Sequence, residues 1–301
     1  MKDLEINIDS VIKNLDSEIK KIEDGEQRVA ALERLKAVAK IYEGEDAVVW
    51  WKELAEDFKE DMQTVGTGWN SLNELLRGGF RLRQLVALSA YAKSGKTSFL
   101  IDMTSKMMEL HPLWLTFEED VEELMEKFHD RGDGIPEFVS PKAMRMYDLK
   151  WVEAKIIEAI AKYSSQVIVI DHLDHIVPYN SDNRADRIAQ AMRELKFLAK
   201  KWGILIILAC HITKTQKDKE PSTDEIRGSA AIIQEADTVM MLWRETKKEG
   251  REWVVTNNVN VSIQLARRGK PGNVKMVFNN GRFLEEDWTH TEADVEFERK
   301  W

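Results

Sequence analysis

The sequence predicts an α/β protein with a mostly parallel central sheet, a small helical region before it and a β-hairpin near its end. Three observations carry this. From about Val65, short β-rich apolar runs alternate with helix-like segments, the pattern of parallel strands joined by crossovers. One strand-to-helix junction, "SAYAKSGKTSF" (89–99), ends in Gly-Lys-Thr, as phosphate-binding loops do. Two late β-type runs, VNVSIQLA and VKMVFN, flank the turn-rich "RRGKPGN".

Residues 1–60 read as helices. In "VAALERLKAVAKIY", Val29, Leu32, Leu35, Val38, Ala39 and Tyr42 fall on one helical stripe. The region is too small for a large core of its own, so the stripe is expected to pack on the next domain or on a neighbouring subunit. The β-runs that follow are LVALSA (85–90), LWLTF (113–117), VIVID (167–171), ILIILAC (204–210) and TVMMLW (238–243). Helices are expected between them at 96–110, 120–130, 150–164 and 183–202. The resulting division is 1–60 helical, 61–284 the α/β domain, and 285–301 an acidic, aperiodic tail read as mobile.

Composition narrows the function classes. The chain has 301 residues, a net charge of -9 and one cysteine, Cys210. A lone cysteine excludes an internal disulfide and a zinc ribbon, and fits a cytoplasmic setting. No run of 18 apolar residues predicts a membrane span, and the polar, acidic N-terminus does not read as a secretory signal. The charge is uneven. Residues 1–60 carry net -6 and residues 285–301 net -5, which leaves the middle at +2. A near-neutral domain can bind a nucleic-acid backbone through bases clustered in loops.

The loop supplies the first chemistry. Ala90, Ser94, Gly95, Lys96, Thr97 and Ser98 form a candidate phosphate cradle at a strand-to-helix junction. Backbone N–H groups at the helix start face phosphate oxygens, and Gly95 lets the chain approach. Lys96 places its ammonium at the β- and γ-phosphates, and the Thr97 hydroxyl can ligate Mg²⁺. The first position, where the G-x-x-x-x-G-K-[ST] pattern has glycine, holds Ala90, the smallest departure. Asp171 ends "VIVID" at a carboxyl sheet edge, where a carboxylate can hold the waters around Mg²⁺. Glu118, after "LWLTF", can orient or deprotonate an attacking water. His211, after "LAC", can hydrogen-bond a γ-phosphate and report its loss.

Loop, acid, aspartate and strand-end polar residue occur in the order of the RecA-type ATPase core. In detail the sequence resembles DnaB-like replicative ring helicases, including the helicase half of phage primase–helicases and mitochondrial Twinkle. The similar stretches are "TGWNSLNELLRGGFRLRQLVALSAYAKSGKTSF", "TFEEDVEELMEK", "VIVIDHLDHI", "LACHITK", "DEIRGSAAIIQEADTVMMLWR" and "SIQLARRGKPGNVKMVFNNGRFLEE", together covering roughly residues 65–285. Bacterial members commonly carry alanine where Ala90 stands, and "IDH" with "CH" is closer to the phage branch.

The resemblance implies an ATP- (or other NTP-) and Mg²⁺-dependent DNA helicase, a hexameric ring of copies on single-stranded DNA. It assigns Lys96 and Thr97 to the loop, Glu118 to the catalytic acid, Asp171 to the metal and His211 to the γ-phosphate sensor. Arg268 falls where an arginine finger serves the neighbouring subunit, with Arg267 or Lys270 open as alternatives. Phe278 resembles an aromatic that packs on the base. Arg227, Gly228 and Ser229, with Lys214 and Lys217 upstream, match the loop that tracks DNA. The acidic tail, with Trp288, Phe297 and Trp301, suggests docking to a polymerase or primase partner. A strand-pairing filament and a non-motor ATPase are the rival readings. The chain has no zinc-binding cysteine set like that of the phage primase half.

Overall fold

A computed structural model describes residues 6–43, 50–51, 64–130, 134, 136–177, 183–212, 221, 223–226, 229–249 and 252–285. The chain begins with two helices, α1 (Ile8–Ile19) and α2 (Gly25–Glu43). Asn7 starts the first, its Oδ1 accepting from the N–H of Asp9 at 2.9 Å. Strand β1 (Thr64–Val65), helix α3 (Asn70–Leu75) and strand β2 (Phe80–Arg81) follow, the two strands pairing antiparallel. Next come β3 (Leu85–Ala90), α4 (Lys96–Ser105), β4 (Leu113–Thr116), α5 (Val121–Asp130), α6 (Leu149–Tyr163), β5 (Val167–Asp171), α7 (Arg184–Trp202) and β6 (Leu205–His211). The described chain closes with α8 (Ser229–Glu235), β7 (Thr238–Glu249), β8 (Glu252–Ala266), β9 (Gly272–Asn279) and β10 (Arg282–Glu285).

Eight strands form one sheet in the order β10-β9-β8-β7-β3-β6-β5-β4. The five from β7 to β4 run parallel, and β8, β9 and β10 add antiparallel. Both faces are covered, because alternate residues of each strand enter different cores. Leu85, Ala87, Ile168, Ile170, Ile206 and Leu208 pack with α6 and α7. Val86, Leu88, Val167, Val169, Leu205 and Ile207 pack with Phe99, Leu100 and Met103 of α4. Among the described residues no helix is long and apolar enough to cross a membrane.

The N-terminal helices share the first of these cores through Ile8, Leu15, Ile19, Ala31, Leu35 and Val38. Arg34 donates to the carbonyls of Ala161 (3.0 Å) and Lys162 (2.9 Å), capping the last turn of α6. The buried face of α2 is thus set by Ala31, Leu35 and Val38, and Val29 of the expected stripe stands 55% exposed. The expected hairpin across "RRGKPGN" is formed by β8 and β9. β8 also pairs antiparallel with β7, and these two continue as a ribbon to Glu249 and Glu252, beyond the core, with Val254 and Val255 exposed on it. No apolar run in the sequence signals β10. Its last residue, Glu285, accepts from the N–H groups of Asn70 (3.1 Å) and Ser71 (2.8 Å), and so caps α3.

Asp237 ties the amino ends of the strands together. Its Oδ2 accepts from the N–H of Leu85 at 2.8 Å and is paired with Lys196, while its Oδ1 lies 3.8 Å from Arg267 Nε. Burial pulls the Lys196 ammonium below the usual lysine range, against the opposing pull of Asp237. Replacing Asp237 with Ala strands that charge, with an expected cost of about 3 kcal/mol in urea unfolding. Burial also pushes the Cys210 thiol up to about 12. Native protein at pH 8 should therefore resist iodoacetamide at Cys210 and react only once unfolded.

Candidate active site

The parallel register brings the expected chemistry to one sheet edge. In β3, Ala90 lies beside His211 of β6 on one side and Leu242 of β7 on the other. Thr116 of β4 lies beside Asp171 of β5. Glu118, Asp171, His211 and the loop after Ala90 therefore meet at the carboxyl ends of four strands.

Ala90 is the last residue of its strand, fully buried, and is not among the residues with positive φ. The chain turns later, at Lys93 (φ 64°) and Gly95 (φ 93°), both left-handed. Only the second is the glycine the pattern keeps, and an alanine at the first position costs the loop nothing. Gly95 also stands directly before α4, whose first residues are Lys96 and Thr97. Ser94 is buried and donates its N–H to the carbonyl of Tyr91 at 3.2 Å, which holds the loop closed. Ser98 follows on the first turn, half-buried.

Lys96 and Asp171 are both buried, with Nζ 3.3 Å from Oδ1, yet neither atom has a hydrogen bond of good geometry. Asp171 Oδ2 accepts from the Thr97 hydroxyl at 2.8 Å. A buried ammonium and a buried carboxylate oxygen lacking such bonds fit a phosphate oxygen and a hydrated divalent cation respectively. The residues present thus suit MgATP: Lys96 for phosphate, Thr97 and Asp171 for the metal.

Two glutamates follow β4, and the structure separates them. Glu119 is taken by Lys127, one of whose contacts is 2.6 Å. Glu118 is 50% exposed, and its Oε2 lies 3.5 Å from Nε2 of His172. The His172 ring meets that of His211 edge-on, centroids 4.0 Å apart. The ligand atoms of Glu118, His172 and His211 all lie within 4.8 Å of one another. His172 was not singled out in the sequence, although it directly follows Asp171 and so was bound to share this edge.

The other candidates divide. Phe278 is half-buried between Arg244 (5.2 Å to the ring centroid) and Phe283 (4.9 Å). Phe283 in turn underlies the loop, 3.7 Å from where a Cβ on Gly95 would stand. Arg267 is committed to its own fold, donating to the carbonyl of Gln234 at 2.8 Å. The N–H of Lys270 donates to the carbonyl of Leu75 at 2.9 Å, and Gly269 is pressed so closely on Leu75 that a Cβ would come within 2.3 Å of that oxygen. Arg268 is exposed at the tip of this anchored turn. The turn lies at the opposite edge of the sheet: Ala266 pairs with Thr238, and Thr238 with Val86, four residues before Ala90. Ser229 opens α8, while Arg227, Gly228, Lys214 and Lys217 lie outside the described residues, as does the tail from residue 286.

A P-loop at the head of β3, with an aspartate, a glutamate and a histidine along the same edge of a mostly parallel sheet, defines a RecA-like ATPase-type domain. The model of the DnaB-like helicase C-terminal domain matches residues 114–284, and the chain belongs to that family. It is 23% identical over 238 residues to the replicative DNA helicase DnaB of Treponema pallidum, covering 68% of this chain and 53% of that protein. The chain thus spans about half the length of that curated relative. Among solved structures it is similar to a DnaB-like replicative helicase studied with its interactions with primase, with TM-score 0.67 and 18% identity over 93% of this chain and 75% of that one. It is also similar to a KaiC-like protein of Pyrococcus horikoshii, with TM-score 0.56 and 17% identity over 75% and 99% of the two chains.

Because Asp171 holds Thr97 and faces Lys96, Lys96→Ala should abolish MgATP-dependent thermal stabilisation. A wild-type protein at 100 times its Kd of nucleotide gains about 2.7 kcal/mol, and the variant should show no shift in a thermal melt.

Proposed function

We propose that this chain is the motor of an ATP-dependent replicative DNA helicase, acting as a ring of copies, six by family likeness, on single-stranded DNA. The observation that carries the proposal is the separation of two sets of residues. Lys96, Thr97, Asp171, Glu118 and His211 share the carboxyl edge of the sheet, while Arg268 stands at the amino edge. Four strand residues alone span about 13 Å. An arginine on that side is badly placed for its own nucleotide and well placed for a neighbour's.

In this reading Lys96 and the backbone N–H groups of the loop bind the phosphates, and Thr97 and Asp171 hold Mg²⁺, which neutralises charge on the transferring group. Glu118 orients the attacking water and accepts its proton. His211 contacts the γ-phosphate, Arg268 of a neighbouring copy completes the pocket, and Phe278 flanks the base. Arg227, Gly228 and Ser229, with Lys214 and Lys217, contact the DNA backbone, so binding is steeply salt-dependent and tolerant of sequence. The acidic tail is a docking segment for a polymerase or primase.

The test is ATP hydrolysis with and without single-stranded DNA, in wild type, Arg268→Ala and mixtures of the two. DNA should stimulate the wild type, and Arg227→Ala should remove the stimulation. Arg268→Ala should lower kcat about 10³-fold with nucleotide affinity kept. Mixtures should fall below the activity expected of independent subunits; strict proportionality to the wild-type fraction would reject a finger supplied by a neighbour.

A further inference from the structure

We propose that His172 is a positioning residue that aims the Glu118 carboxylate through its Nε2–H. The proposal rests on the reading of Glu118 as the group that activates water. His172 follows Asp171 at the end of β5 and is almost fully buried. Its ring is fixed from several directions. The N–H of Asp174 donates to Nδ1 at 3.3 Å, while the Asp174 carboxylate, 3.7 Å from the same nitrogen, is paired with Arg184. The rings of His175 and His211 pack against it, with centroids 4.4 and 4.0 Å away.

The hydrogen bond from Asp174 sets the tautomer. A ring nitrogen that accepts an N–H carries no proton, so the proton of the neutral ring sits on Nε2. That nitrogen is the one 3.5 Å from Glu118 Oε2. The separation is long for a finished hydrogen bond, as is common before substrate draws a catalytic group in. Glu118 itself is half-exposed on the segment between β4 and α5. A glutamate side chain in that setting loses substantial rotamer entropy when it is held in one pose. A donor on a rigid, buried ring selects the pose before the water arrives, and one donor on one oxygen leaves the second oxygen to accept the water's proton. Because the same ring rests on His211, the aim of the base and the sensor of the γ-phosphate share one wall.

The same three side chains could instead seat a transition metal, since two imidazoles and a carboxylate are a known zinc set. The Nε2–H assignment opposes this, because a bound metal would take the place of that proton and occupy the base.

The experiment uses the full chain with His172→Asn, His172→Phe, His172→Gln, Glu118→Gln and the Glu118→Gln/His172→Asn double variant. Asn keeps an acceptor for the Asp174 N–H but cannot reach Glu118. Phe keeps ring volume without a donor, and Gln restores a donor near the Nε2 position. Steady-state hydrolysis, binding of a fluorescent ATP analogue and zinc content are measured. For Asn and Phe we expect kcat to fall about 10²-fold, the size of a misplaced reacting group, with KM and analogue binding within about 3-fold. Gln should regain most of the loss, and the double variant should be no slower than Glu118→Gln. A wild-type kcat in a folded His172→Asn or His172→Phe protein overturns the proposal. So does an equal further loss in the Glu118→Gln background, or stoichiometric zinc that disappears with His172. Wild-type turnover by Glu118→Gln would instead remove the reading of Glu118 on which the proposal rests.

Discussion

A buried charge pair that cannot satisfy itself governs the rest of this structure. Lys96 and Asp171 face each other at 3.3 Å from different elements, the first turn of α4 and the last residue of β5. Removing two ions from water costs several kcal/mol each, and the contact between them, with one hydrogen bond from Thr97 to the other carboxylate oxygen, returns only part of that. The protein tolerates the deficit because the scaffold on either side is closely packed. β3 and β5 are buried along their whole length, and α4 is held from below by Phe99 stacked on Trp69 at 4.8 Å and edge-on to Phe283 at 5.1 Å. The unmet bonding capacity of Lys96 Nζ and Asp171 Oδ1 suits an anion and a cation from outside the pocket.

The sheet that supports this pair also separates it from Arg268. The turn carrying Arg268 is anchored by Lys270 and Gly269 against Leu75, and by Arg267 against Gln234. The turn is thus held at its base, with Arg268 exposed at its tip. If copies associate as proposed, the cost of ordering this turn has already been met at folding and is not spent again on association.

Much of this was legible in the sequence because it is local. The loop, its helix and the strands with continuous apolar runs declare themselves within ten residues, and Asp171, His211 and Glu118 stand out because each closes or follows an apolar run. What depended on contacts across the chain was hidden. "FEED" does not show what Glu119 does; Lys127, eight residues on, takes it. "RRGK" does not show that Arg267 bonds the carbonyl of Gln234, far off in the chain. His172 was in plain view beside Asp171, but its use depends on a tautomer set by Asp174 and on a ring from another strand. The ribbon of β7 and β8 beyond the core was missed because its β7 half, "RETKKE", is polar, and β10 because Glu285 resembles the acidic tail until its carboxylate is seen capping α3.

The same edge ties the phosphate loop to a neighbouring stem of the chain by direct bonds. The carbonyl of Ala90 accepts from the N–H of Ile212 at 3.2 Å, and Ile212 bridges to Ile226. The Tyr91 hydroxyl, one residue into the phosphate loop, donates to Glu225 at 3.2 Å. Ile212 and Glu225, which bracket residues 213–224 of the chain, are therefore bonded to Ala90 and Tyr91 at the mouth of the phosphate loop. His211 precedes Ile212 directly. On the proposed function, a γ-phosphate contact at His211 would bear on this stem through hydrogen bonds and a β-bridge, which resist stretching, and any coupling of binding free energies would run in both directions.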